Sequence, residues 1–148
     1  MTRHLSILMI GVDSISRNNM IRYMPKTRHF LSKNLSALDY LGYNKVADNT
    51  FLYMVPMTTG KFVHELPLNT SLKNVSFDHE ESTLNNTIIF FYSDHGIRFG
   101  QFRQTFIGQM EERLPFLFII LPQWFKVKYP EIYTNCKTNQ QSYGTSPQ

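Results

Sequence analysis

Residues 86–96 read Asn-Thr-Ile-Ile-Phe-Phe-Tyr-Ser-Asp-His-Gly, and they constrain the fold more than any other stretch of the chain. A dense β-branched and aromatic run, residues 88–92, stops abruptly at Ser93, Asp94, His95 and Gly96. A run without polar alternation predicts a strand buried on both faces, as in parallel sheets covered by helices. In open α/β sheets, ligands bind just beyond the carboxyl ends of the strands. That position here carries a carboxylate and an imidazole side by side, a pair able to bind a metal ion. Gly96 permits a sharp exit that lets both side chains face one site. Taken alone, the same residues also fit a strand followed by a polar turn in which Asp94 caps the next element.

A second strand ends in acid. The chain's first strand is expected over residues 5–12, and its apolar run, residues 7–12, leads straight into Asp13. If the two strands are parallel neighbours, Asp13, Asp94 and His95 converge at one edge of the sheet. Thr50, at the start of an expected helix over residues 51–58, is a candidate fourth member. Its hydroxyl would stand at a helix N-terminus, where negative charge is favoured, and a divalent metal there would lower its pKa and make it a nucleophile. A plain helix cap is the other account of Thr50.

Elsewhere, apolar spacing predicts a helix over residues 14–24 capped by Ser14 or Ser16, an interruption at Pro25, and a short helix over 26–33. A weak strand is expected over 37–47. Residues 61–85 are polar and aperiodic, a loop or a join between two pieces. A short helix over 110–113, a fully apolar strand over 114–121 and an amphipathic segment over 124–133 follow. The Asn/Gln/Ser/Thr-rich tail, 135–148, is expected to be disordered. The architecture predicted is α/β, a mainly parallel sheet of about four strands flanked by helices, in one domain over residues 1–134.

The chain has 148 residues, a net charge of +4 and a pI near 9.2. Its basic residues are scattered, with no polybasic run and no nucleic-acid motif, so nucleic acid is not an expected partner. Cys136 is the sole cysteine, which excludes an intrachain disulfide and a cysteine-based zinc site. The apolar runs are far too short to span a bilayer. The N-terminal residues lack a small-residue cleavage site and read as a core strand, not a signal peptide. Four Asn-x-Ser/Thr sequons, at Asn34, Asn69, Asn74 and Asn85, point instead towards a secreted relative.

At this point the chain resembles the alkaline-phosphatase superfamily, which includes sulfatases and nucleotide pyrophosphatase/phosphodiesterases. The motifs are Ile7-Leu8-Met9-Ile10-Gly11-Val12-Asp13, then Asn49-Thr50-Phe51 with Thr59-Gly60, then Ser93-Asp94-His95-Gly96. The flanks are most similar to a sulfatase-like animal family of unknown function. They are Asp13-Ser14-Ile15-Ser16-Arg17, Met24-Pro25-Lys26-Thr27, Gly42-Tyr43-Asn44-Lys45 and Glu111-Glu112-Arg113-Leu114-Pro115-Phe116.

The resemblance implies an alkaline-phosphatase-like core and a two-metal hydrolase mechanism. One divalent ion, expected to be zinc, would be held by Asp13, Thr50, Asp94 and His95. Thr50 would attack a phosphate ester. Sulfatases of the superfamily use a modified Cys or Ser, and Thr50 is neither. The resemblance also implies an extracellular or secretory location. The chain departs from the pattern in three places. Leu52-Tyr53 replace the Pro-Asn that follows Thr-Phe in phosphodiesterases. Only residues 61–85 stand where relatives carry a long middle segment with ligands for the second ion, and His64, Asp78 and His79 do not match that pair. No histidine follows His95. The expectation is therefore a truncated member, inactive or weakly active, with exposed sheet edges and marginal stability; an active phosphoryl hydrolase and a non-enzymatic binding module are the alternatives.

Overall fold

A computed structural model describes residues 5–45, 60 and 84–141. Thr50, the expected helix after it, His64, Asp78, His79 and most of the polar join lie outside the described residues.

The chain forms β1 (Ser6–Val12), α1 (Arg17–Tyr23), α2 (Pro25–His29), a π-helical turn (Phe30–Asn34) and β2 (Leu38–Asp39). After the join come β3 (Thr87–Ser93), α3 (Phe106–Arg113), β4 (Leu117–Ile120), α4 (Gln123–Lys128) and α5 (Pro130–Gln141). The fold is α/β, a mixed sheet of four described strands flanked by helices, in the order β1-β3-β4-β2. β1 and β3 are parallel, with Val12 opposite Ser93. β4 runs antiparallel to β3, and β2 antiparallel to β4. Parallel pairing therefore does not dominate the described sheet. The reason is local: the chain leaves the carboxyl end of β3, forms α3 there, and Ser93 N–H donates to the Phe116 carbonyl at 2.9 Å as β4 starts back down. A parallel partner would need a crossover to the other end of the sheet.

Side-chain alternation gives the sheet two unlike faces. Phe91 stands opposite Phe118, and Ile89 opposite Ile120. Phe91, Phe118 and Ile120 pack with Met20, Leu31, Phe116 and Val12 in the core under α1 and the π-helical turn. The Phe91 and Phe116 rings lie 5.2 Å apart, and Phe116 and Phe118 6.0 Å, spacings favourable for aromatic pairs. The other face carries Ile7, Ile88 and Phe90. Ile7 is 65% exposed, and residues 88–91 are half-buried, so β3 is not sealed on both faces as its composition suggests.

Helix boundaries follow local chemistry. Ser16, not Ser14, caps α1: its Oγ accepts from Asn19 N–H at 3.0 Å. Met24 ends that helix before Pro25, which opens α2 at a position that needs no N–H. Thr105 caps α3 by accepting from Gly108 N–H at 3.0 Å, so this helix begins earlier than residue 110. Of the expected strand over 37–47, the described part, 37–45, forms only the two residues of β2. Arg17 locks it to α1 through two bonds to Asp39, at 2.6 and 2.7 Å. α5 continues to Gln141, into the stretch expected to be disordered, and its last turn is docked on β2: Asp39 N–H donates to Gln140 Oε1 at 3.1 Å. No described helix is long and apolar enough to cross a membrane.

Candidate metal centre

The parallel register of β1 and β3 brings Asp13 and Asp94 to the same sheet edge. Just past β1, Ser14 adopts a positive φ of 61°, unusual for a residue with a side chain. That bend turns its N–H onto Asp94 Oδ1 at 3.2 Å. The same oxygen accepts from His95 N–H at 2.9 Å. Ser93 is fully buried and ties both strands together: its Oγ accepts from Ile15 N–H at 3.2 Å and donates to the His95 carbonyl at 3.0 Å. Gly11 makes room for the Tyr92 ring, since a Cβ at Gly11 would lie 3.0 Å from the Tyr92 hydroxyl. Burial, and then the charge of Asp94, raises the Tyr92 pKa and keeps the phenol neutral.

Asp13, Asp94 and His95 each offer one ligand atom, all within 4.8 Å of one another. Asp94 and His95 are buried, whereas the Asp13 side chain is 76% exposed. His95 Nδ1 lies 2.6 Å from the Gly96 carbonyl oxygen. A carbonyl only accepts, so Nδ1 carries a proton and Nε2 is the ring nitrogen placed to take a ligand. Nε2 faces Asp94 Oδ2 at 3.2 Å and Asp13 Oδ1 at 3.4 Å. Three potential ligand atoms thus converge on one point, where a cation can satisfy both carboxylates and the imidazole together. Two atoms bound to one tetrahedral zinc at 2.0–2.1 Å stand roughly 3.3 Å apart, so the spacing fits an ion of that size. A carbonyl that fixes the imidazole tautomer is also the usual outer partner of a metal-bound histidine. The donor set fits a divalent metal.

Two adjacent carboxylates at the end of α3 hold this edge from behind, and sequence reading gave them no role. Glu111 accepts from Ser16 Oγ at 3.2 Å, Asn18 Nδ2 at 3.2 Å and Arg22 at 2.6 Å. Glu112 accepts from Lys45 at 2.8 Å and Arg103 at 2.9 Å. Gly96 N–H donates to the Glu112 carbonyl at 2.9 Å, which joins the metal motif directly to this pair. The signal was the run Glu111-Glu112-Arg113 before a strand, but its partners are remote in sequence.

Burial pulls both carboxyl pKa values up, but it is outweighed. For Glu111 the hydrogen bonds from Arg22 and Asn18 and the Arg22 charge prevail; for Glu112 those of Lys45 and Arg103 do. Both groups end below their ordinary value of 4.5. Each is therefore more acidic folded than unfolded, and its contribution to stability is fully present above about pH 4.5 and lost as pH falls below it. Acid unfolding followed by circular dichroism should show this limb. In Glu111→Gln/Glu112→Gln the limb should flatten; an unchanged acid limb would assign it to other groups.

The family described as a protein of unknown function, DUF229, matches residues 1–80 and 70–146. The chain belongs to this family. The DUF229 match spans every described element, including both halves of the Asp/His cluster. No curated protein and no solved structure matches the chain.

Proposed function

We propose that this DUF229 chain binds one divalent cation through Asp13, Asp94 and His95, on an alkaline-phosphatase-like core whose chemistry is the hydrolysis of phosphate esters. The observation that carries this reading is His95 Nε2 held between two carboxylates at the ends of β1 and β3. Zinc is the proposed ion, because imidazole with carboxylates suits it. A bound ion would supply Lewis-acid charge at a phosphoryl oxygen and lower the pKa of an oxygen nucleophile. Thr50 is the proposed nucleophile on the motif resemblance alone. Asp94 is fixed by two backbone N–H groups and His95 by one carbonyl, so these two ligands are preorganised. Asp13 stands open to solvent and leaves the approach for a substrate.

Turnover in this chain is proposed to be slow or nil. The matched residues account for one ion, and the two-ion clamp contributes much of the transition-state stabilisation in such hydrolases. The short polar join over residues 61–85, where the resemblance implies a long middle segment, is the ground for proposing a form that lacks a central part of the family's domain. Titration against a chromogenic zinc chelator tests the site, with one equivalent bound as the expected result; absence of binding would sink the reading. Steady hydrolysis of an aryl phosphate, abolished by a chelator and by Thr50→Ala, would show an active enzyme and overturn the low-turnover part.

Passage through the secretory pathway belongs to the same proposal. Asn34 and Asn85 are both exposed and open sequons. They line one groove of about 860 Å³ at the amino end of β3, away from the metal edge. When the chain is exported from cultured animal cells behind an added leader, Asn34→Gln and Asn85→Gln should each remove one glycan by mass. Masses unaltered by both substitutions would rule out glycan attachment at these positions.

A further inference from the structure

The loop that leaves the metal motif inverts the usual rule of burial. Ile97 is 47% exposed and Phe99 82% exposed, while Arg98 between them turns inward. Its Nε and Nη2 atoms are buried and have no hydrogen-bond partner. These two nitrogens form the side-on edge of the guanidinium, with two parallel N–H groups that match two oxygens of a phosphate or carboxylate. Burying that edge without an acceptor is costly. A fold that leaves two apolar side chains in water and buries an unpaired cationic edge is serving something other than its own stability.

The described part of the chain offers no carboxylate for it. Asp13 and Asp94 face His95, Asp39 holds Arg17 and Arg28, Glu111 holds Arg22, and Glu112 holds Lys45 and Arg103. Glu131 lies on the surface in the first turn of α5. Arg98 follows His95 by three residues, and the intervening Gly96 is fixed by its bond to Glu112, so the loop leaves the motif along a set path.

We propose that the Nε/Nη2 edge of Arg98 is an oxyanion-binding site, which takes two non-bridging oxygens of the phosphate group. This assignment to phosphate rests on the phosphate-ester reading of the neighbouring cluster. The anion supplies the missing acceptors, and Arg98 supplies positive charge that does not depend on the metal.

Thermal denaturation with and without inorganic phosphate tests it, run both with zinc and with a chelator, on the wild type, Arg98→Met and Arg98→Lys. Zinc binding is titrated separately, so a failed metal site and a failed Arg98 site give different results. Phosphate should raise the wild-type midpoint, and Arg98→Met should weaken phosphate binding by about tenfold or more. Arg98→Lys, which keeps the charge but lacks the fork, should fall between. In the absence of phosphate, Arg98→Met should unfold no earlier than wild type, because an unpaired buried charge has been removed; a purely structural arginine would give the opposite. Equal phosphate responses in wild type and Arg98→Met, or none in wild type under either condition, would overturn the proposal.

Discussion

Gly96→Ala is expected to destabilise the domain by about 3 kcal/mol or more, a drop in melting midpoint on the order of 10 °C for a chain of this size. A Cβ at this position would overlap the Glu111 carbonyl oxygen and lie 2.9 Å from Glu111 C and Glu112 Cα. These are backbone atoms, so no side-chain rotation relieves the clash. Relief requires α3 to move away from the end of β3. That movement breaks the bond from Gly96 N–H to the Glu112 carbonyl and disturbs the carbonyl of Gly96 that sets the His95 tautomer. Loss of stability and loss of cation binding should therefore appear together. A variant melting within a couple of degrees of wild type would show that α3 is not packed against this glycine.

Asp94→Asn separates the two effects. The amide oxygen can keep accepting from Ser14 and His95 N–H groups, at 3.2 and 2.9 Å in the wild type. The new NH2 can donate to His95 Nε2, where a carboxylate oxygen now stands 3.2 Å away. The fold should persist, since the side chain keeps its shape and both backbone bonds. Zinc affinity should fall by at least the roughly 10–100-fold that loss of a mere outer partner costs at metal sites. Stabilisation of the folded state by zinc should shrink accordingly; at a hundredfold excess over the wild-type Kd it is worth about 2.7 kcal/mol. A variant that binds zinc within threefold of wild type would remove Asp94 from the ligand set.

Much of this edge was legible in the sequence, because strand ends are written locally. The runs before Asp13 and Asp94 predict β1 and β3, and their acid termini predict the cluster once the strands are parallel neighbours. Ser16 and Pro25 likewise mark the boundaries of α1 and α2. What escaped depends on partners far away. Glu111 and Glu112 look like surface acids until folding places Arg22, Asn18, Lys45 and Arg103 around them. Arg98 looks like one more scattered cation; only its buried edge sets it apart. The direction of β4 was hidden because an apolar octet reads the same in either orientation. Its antiparallel course follows from α3 sitting at the carboxyl end of β3. The segment over 124–133 was legible only as amphipathic; the helix that runs on to Gln141 has Gln140 meeting β2, a contact that polar composition conceals.

The split of the metal centre between β1 and β3 has a bearing on how the chain finds its fold. Among the described strands β1 lies at the sheet margin, paired with β3 alone. A slip of one residue would turn each of its side chains to the opposite face and carry Asp13 about 3.3 Å along the sheet. Only the native alignment sets Asp13 beside His95. A cation held there thus acts as a vernier: it rewards one alignment of two segments some eighty residues apart and leaves the misaligned ones without reward. With a cation bound, peeling of the marginal strand and departure of the ion would be a single event.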